Sequence, residues 1–200
     1  MLKQKVQVTL PPTTAGYIAT SQAVGANDDL VLNENALTDV AGAIVVGGLA
    51  NGNGLDIEGI DLYGNTITET IAGTASSGAV VSTKFFSEVT LANSGQILAA
   101  VEVAYYGGSA LLTPKAPDTV RFPFEYTMAT VFGDPADTAT YKIQYTFEDP
   151  ATTASPTWFD LTGTETTQIQ ERFTVVAPYY RVLMSASNGE EFTVYTVQGG

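Results

Sequence analysis

The stretch from Asp56 to Gly95 constrains this chain more than any other, because it contains two alternating runs joined by a short turn. Ile57-Glu58-Gly59-Ile60-Asp61-Leu62 alternates, Tyr63-Gly64-Asn65 turns, and Thr66-Ile67-Thr68-Glu69-Thr70-Ile71 alternates again. A side-chain period of two on both sides of a Gly-Asn turn predicts a β-hairpin. Small residues from Ala72 to Ala79 then lead to Val80-Val81-Ser82-Thr83-Lys84-Phe85-Phe86, a third run rich in β-branched and aromatic residues. Glu69 falls between Ile67 and Ile71 on one face of the second strand. If that face is core, its carboxylate needs a partner at the sheet margin or at a subunit contact.

The same punctuation recurs along the chain. Lys3 to Leu10 reads as a strand stopped by Pro11-Pro12, which cannot donate backbone hydrogen bonds. This segment, residues 1–14, either pairs at the sheet edge of its own domain or acts as an arm on a neighbour's edge. Gly16 to Val24 and Asp29 to Leu32 are short strands around the turn Gly25-Ala26-Asn27-Asp28. Ala41 to Leu49 follows as a buried strand, and Asn51-Gly52-Asn53-Gly54 turns into the hairpin. Gln96 to Tyr106 fits helix or strand by pattern, with Leu98 to Ala104 as the place for a helix. The alternation of Val101, Val103 and Tyr105 against Glu102, Ala104 and Tyr106 selects strand, ended by Gly107-Gly108.

Gly107 to Asp118, with two glycines and two prolines, marks a boundary. Domains are therefore expected at residues 15–108 and 120–200, with 109–119 as linker. The second half holds runs at Arg121–Val131, Thr140–Phe147, Trp158–Leu161, Thr167–Val176, Tyr180–Ala186 and Phe192–Val197. The expected fold is all-β: two small antiparallel β-sandwich domains in tandem, jelly-roll or immunoglobulin-like.

Composition narrows function by exclusion. With 44% hydrophobic and only 14% charged residues, the chain is globular, and its polar surface comes from Thr, Ser, Asn, Gln and Gly. The longest apolar run, Val40 to Ala50, falls short of the ~20 residues a bilayer span requires, so no membrane partner is expected. The amino terminus lacks the apolar core of a signal peptide. Acids outnumber bases 21 to 8, a formal charge of −13, which opposes binding to phosphate backbones and removes nucleic acid as a partner. Residues 1–116 carry ten acids and four bases and residues 117–200 carry eleven and four, an even spread.

Neither cysteine nor histidine is present. Disulfides, thiolate metal sites and Ser-His-Asp or Cys-His catalysis are thereby excluded. Carboxylate pairs such as Asp61 with Glu69, or Glu148 with Asp149, remain as general acid–base candidates, although so many acids on one β-protein guarantee close pairs. Asn27-Asp28-Asp29 and Asn51 to Asp56 place oxygen ligands in loops without the spacing of a calcium loop, and read as self-satisfied turns. No catalytic residue, cofactor or metal ligand is assigned.

Tyr145, Phe147, Trp158 and Phe159 flank the loop Glu148–Pro156. They read as core, with Trp158 anchoring two sheets, or as a carbohydrate-stacking platform. The interface candidates are Lys3, Lys5, Val6 and Val8 of the amino-terminal segment together with Tyr105, Tyr106, Tyr179 and Tyr180.

Gly59 to Ile71, followed by Ser82-Thr83-Lys84-Phe85-Phe86 and Val89-Thr90, resembles a β-rich module recurrent in virion proteins of tailed bacteriophages. Tyr141-Lys142-Ile143-Gln144-Tyr145-Thr146-Phe147-Glu148-Asp149-Pro150, then Pro156 to Asp160, then Ala177-Pro178-Tyr179-Tyr180-Arg181-Val182, is similar to the carboxy-terminal module that accompanies it. The likeness covers residues 56–90 and 140–183. It implies a non-enzymatic capsid decoration, or cement, protein: a homotrimer clamped over junctions between major capsid protein subunits. Such a protein is made in the host cytoplasm and sits on the outer capsid surface of the virion. The alternatives are a tail or fibre component with a glycan-binding β domain, and a cellular adhesion domain of immunoglobulin-like type.

Overall fold

A computed structural model of the chain describes residues 2–74, 78–112, 125–153, 155–174, 177–188 and 191–199. All regular structure among them is β-strand, paired antiparallel. The chain forms two compact units, one running from Pro11 to Gly107 and one composite, built from Met1–Leu10 and Gly108–Gly200.

The first strand, β1 (Leu2–Thr9), belongs to the composite unit. The Pro11–Gly107 unit then contributes β2 (Ala19–Val24), β3 (Asp28–Asp29), β4 (Val40–Gly47), β5 (Gly54–Ile60), β6 (Thr66–Ala72), β7 (Val80–Phe86) and β8 (Glu88–Ser94). β9 (Leu98–Leu112) passes from this unit into the other. There follow β10 (Glu125–Phe132), β11 (Ala139–Thr146), β12 (Phe159–Asp160), β13 (Gln170–Phe173), β14 (Tyr179–Ser187) and β15 (Glu191–Gly199). The segment Leu98 to Ala104 is strand, as its alternation predicts.

In the Pro11–Gly107 unit, the predicted hairpin is β5–β6, in register from Gly54↔Ala72 to Ile60↔Thr66. Its turn is built by Asp61, whose Oδ1 accepts the amides of Tyr63 and Asn65 while Gly64 takes a φ of 87°, a left-handed value that suits glycine. β8 pairs along the other side of β5, giving the sheet order β3-β8-β5-β6. A bulge between Glu58 and Gly59 brings the Glu88 carbonyl so close that a Cβ at Gly59 would lie 2.2 Å from it. β2, β9, β4 and β7 make the second sheet, and Ile18, Ile44, Val46, Leu55, Ile57, Phe86, Val101 and Val103 are among the side chains of the shared core. Burying such side chains stabilises the unit by roughly 1.5–3 kcal/mol each.

The free edge of β8 is covered without a full strand. Asn27 and Leu30 donate to the carbonyls of Ser94 and Ala92, and Leu37 to that of Ser87. Between them the buried Asn35 side chain stands in for a peptide group, its Nδ2 donating to the Val89 carbonyl at 3.1 Å and its Oδ1 accepting the Val89 amide at 2.7 Å. The Tyr105 hydroxyl closes the cluster by donating to the Asn35 carbonyl at 2.8 Å.

The composite unit is a sandwich of β1-β15-β10-β13 against β12-β11-β14 and the end of β9. Tyr141 on β11 carries a hydrogen-bond chain between the layers. Ile169 donates to Thr130 Oγ1, which lies 2.6 Å from the Tyr141 hydroxyl, and that hydroxyl donates to the Thr167 carbonyl. Phe132, Tyr141 and Phe192 pack ring against ring around it.

Three sequence readings are redrawn. β1 lies antiparallel to β15 from Leu2↔Gln198 to Thr9↔Glu191, so residues 2–9 complete the sheet of the unit that also holds the carboxy terminus. Gly107-Gly108 does not end β9. Glycine keeps both backbone hydrogen-bonding groups, and Ala110, Leu111 and Leu112 pair with Met184, Leu183 and Val182 where a linker was expected. Residues 113–119 of that linker lie outside the described residues. Finally, moving Lys3, Lys5 and Lys115 to the composite unit makes the charge uneven: Pro11–Gly107 has ten acids against one base, Lys84, and the remainder has eleven against seven.

Candidate interaction surface

The paired carboxylates that sequence offered for chemistry, Asp61 with Glu69 and Glu148 with Asp149, all accept backbone amides. Asp61 holds the hairpin turn, with Oδ2 accepting from the Asn65 amide group at 3.1 Å. Glu69 sits at the sheet margin, where its carboxylate accepts the backbone amides of Thr83 and Lys84 at 2.8 and 2.9 Å and the Thr83 hydroxyl at 3.0 Å. Its partner is thus within the chain. Asp149 accepts the Ala151 amide at 3.0 Å, and Glu148 accepts that of Thr157. Asp29 accepts from Asn93 and Asp56 from Thr70. Among the described residues, no group of three or more Asp or Glu side chains is arranged to hold a metal ion.

The interface candidates divide by burial. Val6 and Val8 point into the composite unit's core, opposite Val194 and Phe192. Tyr105 is buried against Asn35, and burial raises its hydroxyl pKa well above the ordinary tyrosine value. Tyr180 is buried too, its hydroxyl accepting the Ala177 amide at 3.2 Å; burial raises its pKa. Lys5 and Tyr106 are exposed and Tyr179 is half-buried, while the Lys3 side chain lies outside the described residues.

The surface with most to offer a partner is the end of the β12-β11-β14 sheet. Strand alternation gives this sheet two distinct faces. On the outer face the paired positions Asp160, Gln144 and Arg181 form a row. Arg181 Nε donates to Gln144 Oε1 at 2.8 Å, Gln144 Nε2 to Asp160 Oδ1 at 2.7 Å, and Lys142 Nζ to Asp160 Oδ2 at 2.8 Å. Lys142 and then Gln144 hold the Asp160 carboxyl below its ordinary pKa. The Arg181 guanidinium lies 4.0 Å from the centroid of the Trp158 ring, a cation–π contact.

The other face presents rings. Phe159 pairs with Tyr145, which pairs with Tyr180. The Phe159 and Tyr145 rings stack at 5.5 Å and Phe147 meets Tyr145 edge-on at 5.7 Å. Tyr180 is buried, but Phe147 is 60% and Phe159 46% exposed. The aromatic set was legible in the sequence as a cluster. Its expected role as core, with Trp158 as anchor, is not what the structure has: Phe147 and Phe159 are exposed at the end of the sheet, and Trp158 packs on Arg181. The Arg181-Gln144-Asp160-Lys142 row was not anticipated; the sign for it is the alternation of Lys142 and Gln144 with Tyr141, Ile143 and Tyr145. Comparison of the chain with known protein families, with curated proteins and with solved structures gave no match in any of the three.

Proposed function

We propose that this chain is a non-enzymatic capsid decoration protein that braces adjoining major capsid protein subunits on the outer surface of a phage head, assembling as a homotrimer. The observation that carries the reading is the exposed aromatic margin Phe147–Tyr145–Phe159, on the sheet face opposite the polar row. Exposed aromatic rings at the end of a sheet have the composition of a protein-docking centre, and a lattice multiplies modest contacts by high effective concentration. The motif resemblance in residues 56–90 and 140–183 supplies the virion context.

The test is co-sedimentation with expanded, undecorated capsids. The wild-type chain is expected to pellet with them, and Phe147→Ser/Phe159→Ser to bind at least tenfold more weakly while keeping its circular dichroism spectrum. Wild-type protein that stays in the supernatant overturns the proposal. Deleting residues 1–12 is not a clean probe, since Val6 and Val8 would leave the core.

The alternative is a tail or fibre component that binds host glycans. It is favoured by the stacked Tyr145–Phe159 pair, a surface that suits the apolar face of a pyranose. That reading requires Trp158 fluorescence to respond to cell-surface sugars and the labelled protein to localise to the tail.

A further inference from the structure

We propose that β1 is an exchangeable strand, and that copies of this chain assemble by each inserting residues 2–9 beside β15 of a neighbour. This deepens the self-association part of the proposed function and rests on it.

The topology carries the inference. β1 is at the end of the order β1-β15-β10-β13, so it can leave by opening one ladder while β15 remains paired with β10 from Glu125↔Gly199 to Phe132↔Phe192. No hairpin ties it to that ladder. Its Gln7 bonds Glu191, 184 residues further along the chain. Immediately after β1 the chain passes through Leu10-Pro11-Pro12 into the other compact unit. Two prolines fix φ and bias the preceding residue to extended backbone, so this connection is a stiff, extended hinge.

What β1 contributes is specific and transferable. Val6 and Val8 fill core positions, Lys5 Nζ lies 5.8 Å from the centroid of the Tyr195 ring, and Gln7 Nε2 reaches Glu191 at 3.1 Å. A second copy's β1 brings the same side chains to the same register, so exchange conserves every one of these contacts. The balance between closed monomer and exchanged assembly is then set by the hinge and by protein concentration. The occupant of the β15 edge in the assembly is therefore residues 2–9 of another copy.

The native chain lacks cysteine, which makes the test direct. Lys5 and Tyr195 are paired positions, both exposed, so Lys5→Cys/Tyr195→Cys places two thiols across the β1–β15 ladder. The variant is concentrated, its assemblies isolated by size-exclusion chromatography with light scattering, oxidised, and run on a denaturing non-reducing gel. Exchange predicts covalent oligomers whose disulfide-linked peptides join position 5 to position 195. An assembly whose 5–195 disulfide lies within each chain overturns exchange but leaves self-association standing. A monomer at every concentration overturns both, while capsid co-sedimentation is scored separately. If no 5–195 disulfide forms, wild-type chain is incubated with a labelled peptide of residues 1–10. Incorporation at one peptide per chain supports exchange, and failure of the peptide to enter overturns it.

Discussion

Asn35 shows how much of the Pro11–Gly107 unit depends on single polar side chains. Its amide satisfies both backbone groups of Val89, at a place where no neighbouring strand reaches them, and its carbonyl receives the Tyr105 hydroxyl. Removing one member leaves buried groups unpaired, which costs more than the bond was worth. Asn35→Ala should therefore destabilise the chain by roughly 2–4 kcal/mol and Tyr105→Phe by about 1–2 kcal/mol in urea titrations. Equal, negligible losses would show that water replaces the cluster. The pH sign follows from burial. Tyr105 is held neutral in the fold, so the stability it adds is complete below the ordinary tyrosine pKa of 10.0 and falls as pH rises above it, where the unfolded chain ionises first. Tyr105→Phe should accordingly flatten the alkaline limb of the stability–pH profile.

Strands show where sequence reading succeeds and where it stops. The β5–β6 hairpin was legible because its alternation and its turn agree, down to Gly64 in the left-handed region. β8 is not legible as a strand of its own, because only Ser87 separates it from Phe86 and no turn residues announce the passage from one sheet to the other. Nor was the irregularity of β7 visible. Its pairing with β4 jumps between Ala43↔Phe85 and Val45↔Val81, so residues 82–84 bulge away from the ladder. Glu69 takes two of the amides in that bulge, and the Ser82 hydroxyl accepts the Ile44 amide at 2.9 Å while donating to the Lys84 carbonyl at 2.8 Å. An acid between two isoleucines signals a partner, but only the fold reveals that the partner is backbone. Glu69→Ala should cost about 1–3 kcal/mol, with hydrogen exchange accelerated at the Thr83 and Lys84 amides above all others. Unchanged protection at those two amides would remove Glu69 from this role. The aromatic margin belongs to the same lesson: composition places the rings together, but their exposure depends on what the rest of the fold packs against them, which no local signal encodes.

At the scale of the whole molecule, the unit boundaries redistribute charge that looked even along the chain. Pro11–Gly107 holds ten carboxylates and the single cation Lys84, whose Nζ donates to the Thr68 carbonyl at 2.6 Å. Self-repulsion of that order opposes compaction and is screened over a Debye length of about 10 Å at 0.1 M salt. The composite unit is closer to balance, and it also needs β1 from the far end of the chain, whereas Pro11–Gly107 is contiguous and contains its own core. Two expectations separate the units. Residues 11–107 expressed alone should fold, with a thermal midpoint that climbs as ionic strength rises from about 0.01 to about 0.3 M, because screening relieves repulsion in the compact state more than in the expanded one. Residues 108–200 expressed alone should lack the strand that carries Val6 and Val8, expose the β15 ladder, and bind a hydrophobic dye until a peptide of residues 1–10 is added. A salt-insensitive midpoint for the first fragment would mean that its acids are too dispersed for repulsion to matter. A dye-silent, cooperative second fragment would mean that β1 is dispensable to its sheet, and that the amino-terminal strand is held in place by its partner rather than the reverse.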